Sequence, residues 1–264
     1  MSKFYKAVPI VLISFLIACS TVPISNRERL NFVSDAKINS VADQEYQQFI
    51  KENRSDINQN QQQLKLVRRV GFRIRDAVER YFIQNNQSIS FDWEFNVIQN
   101  SQANAWAMPG GKVMVYSGIF DKTRNEEGLA VVVAHEIAHA AAKHGAERMS
   151  QQTLLNLGGY ALSQSVAGEN FMKAFSIGSH YGIMLPYSRK HEYEADHLGL
   201  IFMSMAGYDP AAAVDFWQRM SENSAAAPEF MSTHPCDKKR IQALKERMPE
   251  AKRYYRESIK SGRQ

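Results

Sequence analysis

Between Leu64 and Phe82 the apolar residues Val67, Val70, Ile74, Ala77, Val78 and Tyr81 recur at helical spacing, which predicts an amphipathic helix there. The period then shortens: Phe91, Trp93, Phe95 and Val97 alternate with Asp92, Glu94 and Asn96, the pattern of a strand with one buried face. Two more short strands are expected, about Ala103 to Ala107 and Lys112 to Ser117, joined through Pro109-Gly110-Gly111, where glycine supplies a positive φ. Leu129 to Ala142 is apolar at most positions and lacks proline, so a buried helix is expected, with Thr123-x-x-Glu126 as a capping-box start. Ser150 to Ser165 and Glu169 to Leu185 read as helices, too interrupted by charges and glycines to be membrane spans. Ser188 can cap a helix ending near Gly207, and Asp209-Pro210 is the start of another that runs through Met220. Ser224 to Pro228 is a small-residue loop, and His234-Pro235 opens a last helix carrying Ile241 and Leu244.

The most apolar of these helices carries three polar residues that change the picture. His135 and His139 are four apart, so at 3.6 residues per turn they share one face and can aim ring nitrogens at a single ion. Glu136 beside them can take a proton from a water that zinc has acidified towards a pKa of about 7, and pass it to a leaving amine. A zinc peptidase site with one ion per chain is the implied chemistry. A catalytic zinc needs a third protein ligand and an open position. The metzincin spacing would put Gly at 142 and His at 145, where this chain has Ala142 and Gly145, so His144 reads as a surface or capping residue. The third ligand is sought in Ser188-Arg189-Lys190-His191-Glu192-Tyr193-Glu194-Ala195-Asp196-His197. Glu192 is favoured because Asp196, one turn on, can accept the ring N–H of a zinc-bound histidine, whereas Glu194 has Leu198 at the matching position.

Composition adds a frame. The 264 residues are 44% hydrophobic and 22% charged, as in ordinary globular proteins. Of the net charge of +5, Lys3 and Lys6 lie at the N-terminus, and the remaining 30 basic and 27 acidic residues give too small an excess to argue for nucleic acid. Those lysines, the apolar run Ala7 to Ile17 and then Ala18-Cys19 read as a signal segment, residues 1–18, too short for an ordinary membrane span. Leu16-Ile17-Ala18-Cys19 resembles the bacterial lipobox, which implies lipid attachment at Cys19 and, with Ser20 after it, sorting to the outer membrane facing the periplasm. Only Cys236 then remains, two residues from His234, so no internal disulfide is possible. Residues 19–60 read as a tether and packing segment, 61–255 as the catalytic domain and 256–264 as a tail.

The motifs together resemble family forty-eight of the metallopeptidases, which includes the CAAX prenyl endopeptidases, HtpX and the Oma-type mitochondrial peptidases. His135-Glu136-Ile137-Ala138-His139 is followed by a segment similar to the family's S-R-x-x-E-x-x-A-D, met at Ser188, Arg189, Glu192, Ala195 and Asp196, with Glu192 53 residues after His139. Asn104 to Gly111 is similar to its N-A-x-A-x-P-G-G, and Thr233-His234-Pro235 with Arg240 to its T-H-P-x-x-x-x-R. The resemblance implies an α+β, mainly α-helical, zincin-type domain with a small antiparallel three-stranded sheet. It implies Glu192 as third zinc ligand, and Asn104, Ala105, Trp106 and Ala107 as an edge strand that pairs with extended or unfolded polypeptide. His234 then stabilises the oxyanion as a catalytic residue, or occupies the zinc and holds the enzyme off. The activity implied is proteolytic quality control of envelope proteins, with a non-proteolytic or self-inhibited chaperone as the alternative.

Overall fold

The computed structural model describes residues 19–22, 24–30, 33–87, 91–163, 185–222, 229–235 and 237–262. The leader 1–18, the stretch 169–184 expected to be helical, the loop 224–228 and Cys236 lie outside them. A hairpin of β1 (Cys19–Thr21) and β2 (Glu28–Leu30) leads into α1 (Asp35–Glu52) and α2 (Gln61–Gln84). The packing segment expected before residue 60 is thus a full helix of 18 residues, capped by Ser34, whose side chain accepts from Lys37 N. The stripe on α2 is as expected, buried at Leu64, Val67, Val70, Ile74, Ala77, Val78 and Phe82, with Tyr81 partly covered.

The strands are β3 (Glu94–Ile98), β4 (Ala105–Met108) and β5 (Lys112–Tyr116), in the order β3-β5-β4. The expected antiparallel pairing holds for β4 with β5, but β3 runs parallel to β5, so the sheet is mixed. The cause is the crossing at residues 99–104. After Ile98 the chain passes over the end of β5, held there by Asn100 N donating to Ser117 Oγ at 2.9 Å and Gly118 N to Asn100 O at 2.9 Å. It then returns on the far side as β4. A Cβ on Gly118 would stand 2.2 Å from Ser101 O, so this crossing requires glycine. The Gly110-Gly111 turn has φ of 87° and 93°, as the turn chemistry demanded.

α3 (Glu126–Ala141) is the buried helix, covered from Gly128 to Ala141. Its cap is Asn125, whose side chain accepts from Gly128 N at 2.8 Å, not Thr123 as expected. Arg124 at φ 66° breaks the direction of the preceding short helix Phe120–Thr123, so capping starts two residues later. α4 (His144–Ser163), α5 (Leu185–Met205), α6 (Ala211–Glu222) and α7 (Lys238–Lys260) complete the helical layers, with a short turn at Glu229–Thr233. Ser188 lies inside α5 instead of capping it. Asp209 Oδ1 accepts from Ala211 N at 2.9 Å, as read from the Asp-Pro pair, whereas the last helix is capped by Asp237 and not opened by His234-Pro235. α3 packs between α5 and α2, with β4 along its other side. Gly199 lets α5 close on α3, since its Cβ would stand 3.1 Å from His135 N. Among the described residues no helix is long and apolar enough to cross a membrane.

Candidate metal centre and catalytic cleft

α3 places His135 and His139 one turn apart, their Nε2 atoms 3.1 Å from each other. α5 crosses them so that Glu192 offers Oε2 at 3.3 Å from His135 Nε2 and Oε1 at 3.3 Å from His139 Nε2. His234 brings Nδ1 to 3.2 Å from His135 Nε2 and 3.1 Å from Glu192 Oε2. All four side chains are buried, and among the described residues their donor atoms form a cluster within 4.8 Å. Zinc bonds of about 2.0–2.1 Å put tetrahedral donors about 3.3 Å apart, which the 3.1–3.3 Å spacings around His135 and Glu192 match. The chemistry agrees, because three imidazole nitrogens converging on a carboxylate need a shared cation or proton between their lone pairs.

The surroundings fix these donors. Asp196 Oδ1 lies 3.2 Å from His135 Nδ1, on the side of the ring away from the cluster. Arg240 grips Asp196 through Nε and Nη2 at 2.7 and 2.8 Å, reaches Glu192 Oε2 at 3.2 Å, and stacks over Trp217 at 4.3 Å. Burial raises Glu136 above the usual carboxylate range, which suits a proton acceptor. Burial lowers His139, which favours the neutral ring that a metal needs. Burial alone would lower His135 too, but Asp196 and Glu192 outweigh it and lift its pKa to about 9. Burial opposes ionisation of Glu192, yet the bonds to His135, His139 and His234 hold it far below the usual range.

Glu136 faces the cleft. Its Oε2 accepts from Ala107 N at 3.1 Å, while Oε1 is buried without a hydrogen-bond partner among the described residues, 3.3 Å from His234 Nε2. Of the four predicted edge-strand residues, Ala105 and Ala107 turn their backbone groups away from β5, because Asn104 O bonds Tyr116 N and the ladder alternates. Trp106 faces β5 through its backbone, and its ring packs edge-on against Tyr46 and Phe49, so it secures the strand. A cavity of about 820 Å³ opens beside His139, bounded by Ala107, Pro109 and Gly110 on one side and Lys143, Gly145 and Arg148 on the other.

Beneath His139 lies a charged cluster that the sequence reading missed. His144, expected at the surface, is fully buried, with Nδ1 2.8 Å from His139 Nδ1 and Nε2 2.9 Å from Glu194 Oε2. Glu194, read as lacking support, is held by Arg27 at 2.7 Å, and Arg27 also binds Glu147, which meets His191 Nε2 at 3.0 Å. The motif spacing gives no sign of this. Lys143 at φ 57° turns the chain after α3 and folds His144 back under His139. Burial works to raise Glu147, but His191 and Arg27 outweigh it and bring its pKa to about 2, from an ordinary 4.5. A carboxylate with a depressed folded pKa stabilises the fold above its unfolded value and loses that contribution as pH falls towards the folded one. Stability should therefore drop between pH 4.5 and 2, and Glu147→Gln should flatten that limb of an acid-unfolding curve.

Comparison with known proteins agrees with this geometry. The sequence profile of peptidase family M48 matches residues 69–248. The chain is 35% identical over 233 residues to mitochondrial metalloendopeptidase OMA1 of Schizosaccharomyces pombe, covering 87% of this chain and 66% of that one. The protein of that name from Saccharomyces cerevisiae is 30% identical over 247 residues, 89% of this chain and 71% of its own. The beta-barrel assembly-enhancing protease of Yersinia pestis is 31% identical over 182 residues, 64% of this chain and 37% of its own. The chain thus spans about two thirds of the length of the yeast relatives and little more than a third of the Yersinia one.

Proposed function

The chain belongs to peptidase family M48 and is a zinc metallopeptidase; from that premise we propose that it is a lipid-anchored endopeptidase of a bacterial envelope, cleaving unfolded or misassembled proteins there. The observation that carries the catalytic reading is Glu136 Oε1, buried and without a hydrogen bond among the described residues, beside the donor cluster and the outward groups of β4. A buried carboxylate oxygen that lacks a hydrogen bond, with His234 Nε2 3.3 Å away, is costly unless a reacting group completes it. His135, His139 and Glu192 would hold the ion, which supplies Lewis acidity to the scissile carbonyl and to water. Glu136 takes the proton of the attacking water and hands it to the leaving amine nitrogen as the C–N bond breaks. The carbonyls of Ala105 and Ala107, turned away from β5, pair with an extended substrate backbone, which selects for unfolded polypeptide. The lipobox at Leu16 to Cys19 supports the anchor, and Cys19→Ala should move the protein from the membrane fraction to the soluble one. If it stays in the membrane fraction, the lipid reading is wrong.

A second reading is favoured by one observation: His234 Nδ1 lies 3.2 Å from His135 Nε2 and 3.1 Å from Glu192 Oε2, where it would take the position that water needs on a bound ion. In that state the site is shut, and the groove can only hold polypeptide. The test is cleavage of an unfolded protein by zinc-loaded wild type and His234→Ala. A brake predicts faster cleavage in the variant; an oxyanion stabiliser predicts slower cleavage, by about 10²–10³-fold. Failure of both proteins to cleave any unfolded substrate would leave the chaperone reading standing.

A further inference from the structure

The hairpin of β1 and β2 lies outside the family-matched residues 69–248, yet it reaches under the metal centre. Its turn carries Ser25 and Arg27. Arg27 contacts Glu194 Oε2 through Nε at 2.9 Å and Nη2 at 2.7 Å, and Glu147 through Nη1 and Nη2 at 2.8 and 2.7 Å. Ser25 Oγ donates to Glu194 Oε1, and Arg29 donates to Ala142 O, at the end of the helix that carries His139.

The proton order follows from the ring atoms. His139 turns Nε2 to the donor cluster, so a metal there requires a lone pair on Nε2 and puts the ring proton on Nδ1. That proton points at His144 Nδ1, 2.8 Å away, which must accept it. His144 then keeps its own proton on Nε2, 2.9 Å from Glu194 Oε2. A carboxylate at the end of such a chain locks the tautomers and orients the metal-binding ring. Glu194 is buried, and the guanidinium of Arg27 pairs with it there at 2.7 Å and holds its position.

We infer that the N-terminal hairpin is a working part of the metal centre: Arg27 and Ser25 fix Glu194, Glu194 fixes the tautomer of His144, and His144 fixes the ring of His139. Arg27 is thus a positioning residue, and docking of the segment that begins at Cys19 sets how tightly the site holds zinc. This rests on the zinc reading of the donor cluster.

The experiment is zinc affinity by chelator competition, with thermal unfolding of the metal-free protein measured alongside. The proteins compared are wild type, Arg27→Gln, Glu194→Gln, the double variant and Arg27→Lys. Each single Gln variant should weaken zinc binding by about 10- to 100-fold, the usual range for residues that orient a metal ligand. The double variant should be no weaker than the worse single one, because both act through His144. Arg27→Lys should recover part of the loss. A cluster that merely holds the fold would lower the melting temperature of these variants and leave zinc affinity unchanged, and that result overturns the inference. If Arg27→Gln does not fold, Ser25→Ala tests the same chain through one neutral bond, with a few-fold weaker affinity expected and an unchanged one against it. Wild type that binds zinc while all variants bind equally well rejects the hairpin's role alone. Wild type that binds no zinc rejects the zinc reading as well.

Discussion

Glu136→Gln should bind zinc as the parent does and lose peptide cleavage by about 10²–10⁴-fold, the usual contribution of a general acid–base group. The substitution keeps the shape of the side chain. Its amide oxygen can still accept from Ala107 N, now at 3.1 Å from Oε2, so the edge strand stays in register with α3. What is lost is the capacity to bind a proton at Oε1, the oxygen of this carboxylate that has no hydrogen-bond partner among the described residues. Because burial raises the pKa of Glu136, the carboxylate is poised to accept a proton, and the amide has no counterpart to this. The check is a single preparation measured for metal-to-protein ratio and for turnover of an unfolded substrate. Equal turnover by variant and parent would remove Glu136 from the mechanism, whereas loss of zinc would mean that it acts on the metal instead.

Glu192→Ala should lower zinc affinity more than any change to the surrounding groups, by at least about 100-fold, since even residues that only orient ligands are worth 10 to 100. Glu192 touches all three histidines, at 3.3 Å from His135, 3.3 Å from His139 and 3.1 Å from His234. The fold should survive, because Arg240 keeps its paired bonds to Asp196 at 2.7 and 2.8 Å. An unchanged metal-to-protein ratio with intact folding would show that Glu192 is not a ligand. Comparison with Glu194→Gln, two residues away on the same helix, separates a direct ligand from a carboxylate acting through His144.

Much of the centre could be read along the chain because its spacing is local. His135 and His139 are one helical turn apart, and Glu192 and Asp196 repeat the relation on α5, so either pair faces one way wherever a helix forms. The stripe on α2 and the strand after it were legible for the same reason. The errors fall where a single backbone angle decides direction. Arg124 at φ 66° moved the cap from Thr123 to Asn125, and Lys143 at φ 57° turned His144 from an expected surface position into the floor of the site. Non-glycine residues seldom adopt that conformation, so nothing in their identity signals it.

By itself, then, the sequence determined the helices and strands with strong periodicity, and that His135 and His139 on one helix and Glu192 and Asp196 on another would each share a face. These depend on intervals of two to four residues, which local geometry converts directly into shared faces. Only the tertiary structure decided that β3 runs parallel to β5, that Arg240 holds Asp196 and Glu192, that His234 Nδ1 lies 3.2 Å from His135 Nε2 and 3.1 Å from Glu192 Oε2, and that Arg27 reaches Glu194 from 167 residues away. Such contacts arise when separate elements pack against one another, and no local interval encodes which buried charges will meet across the core.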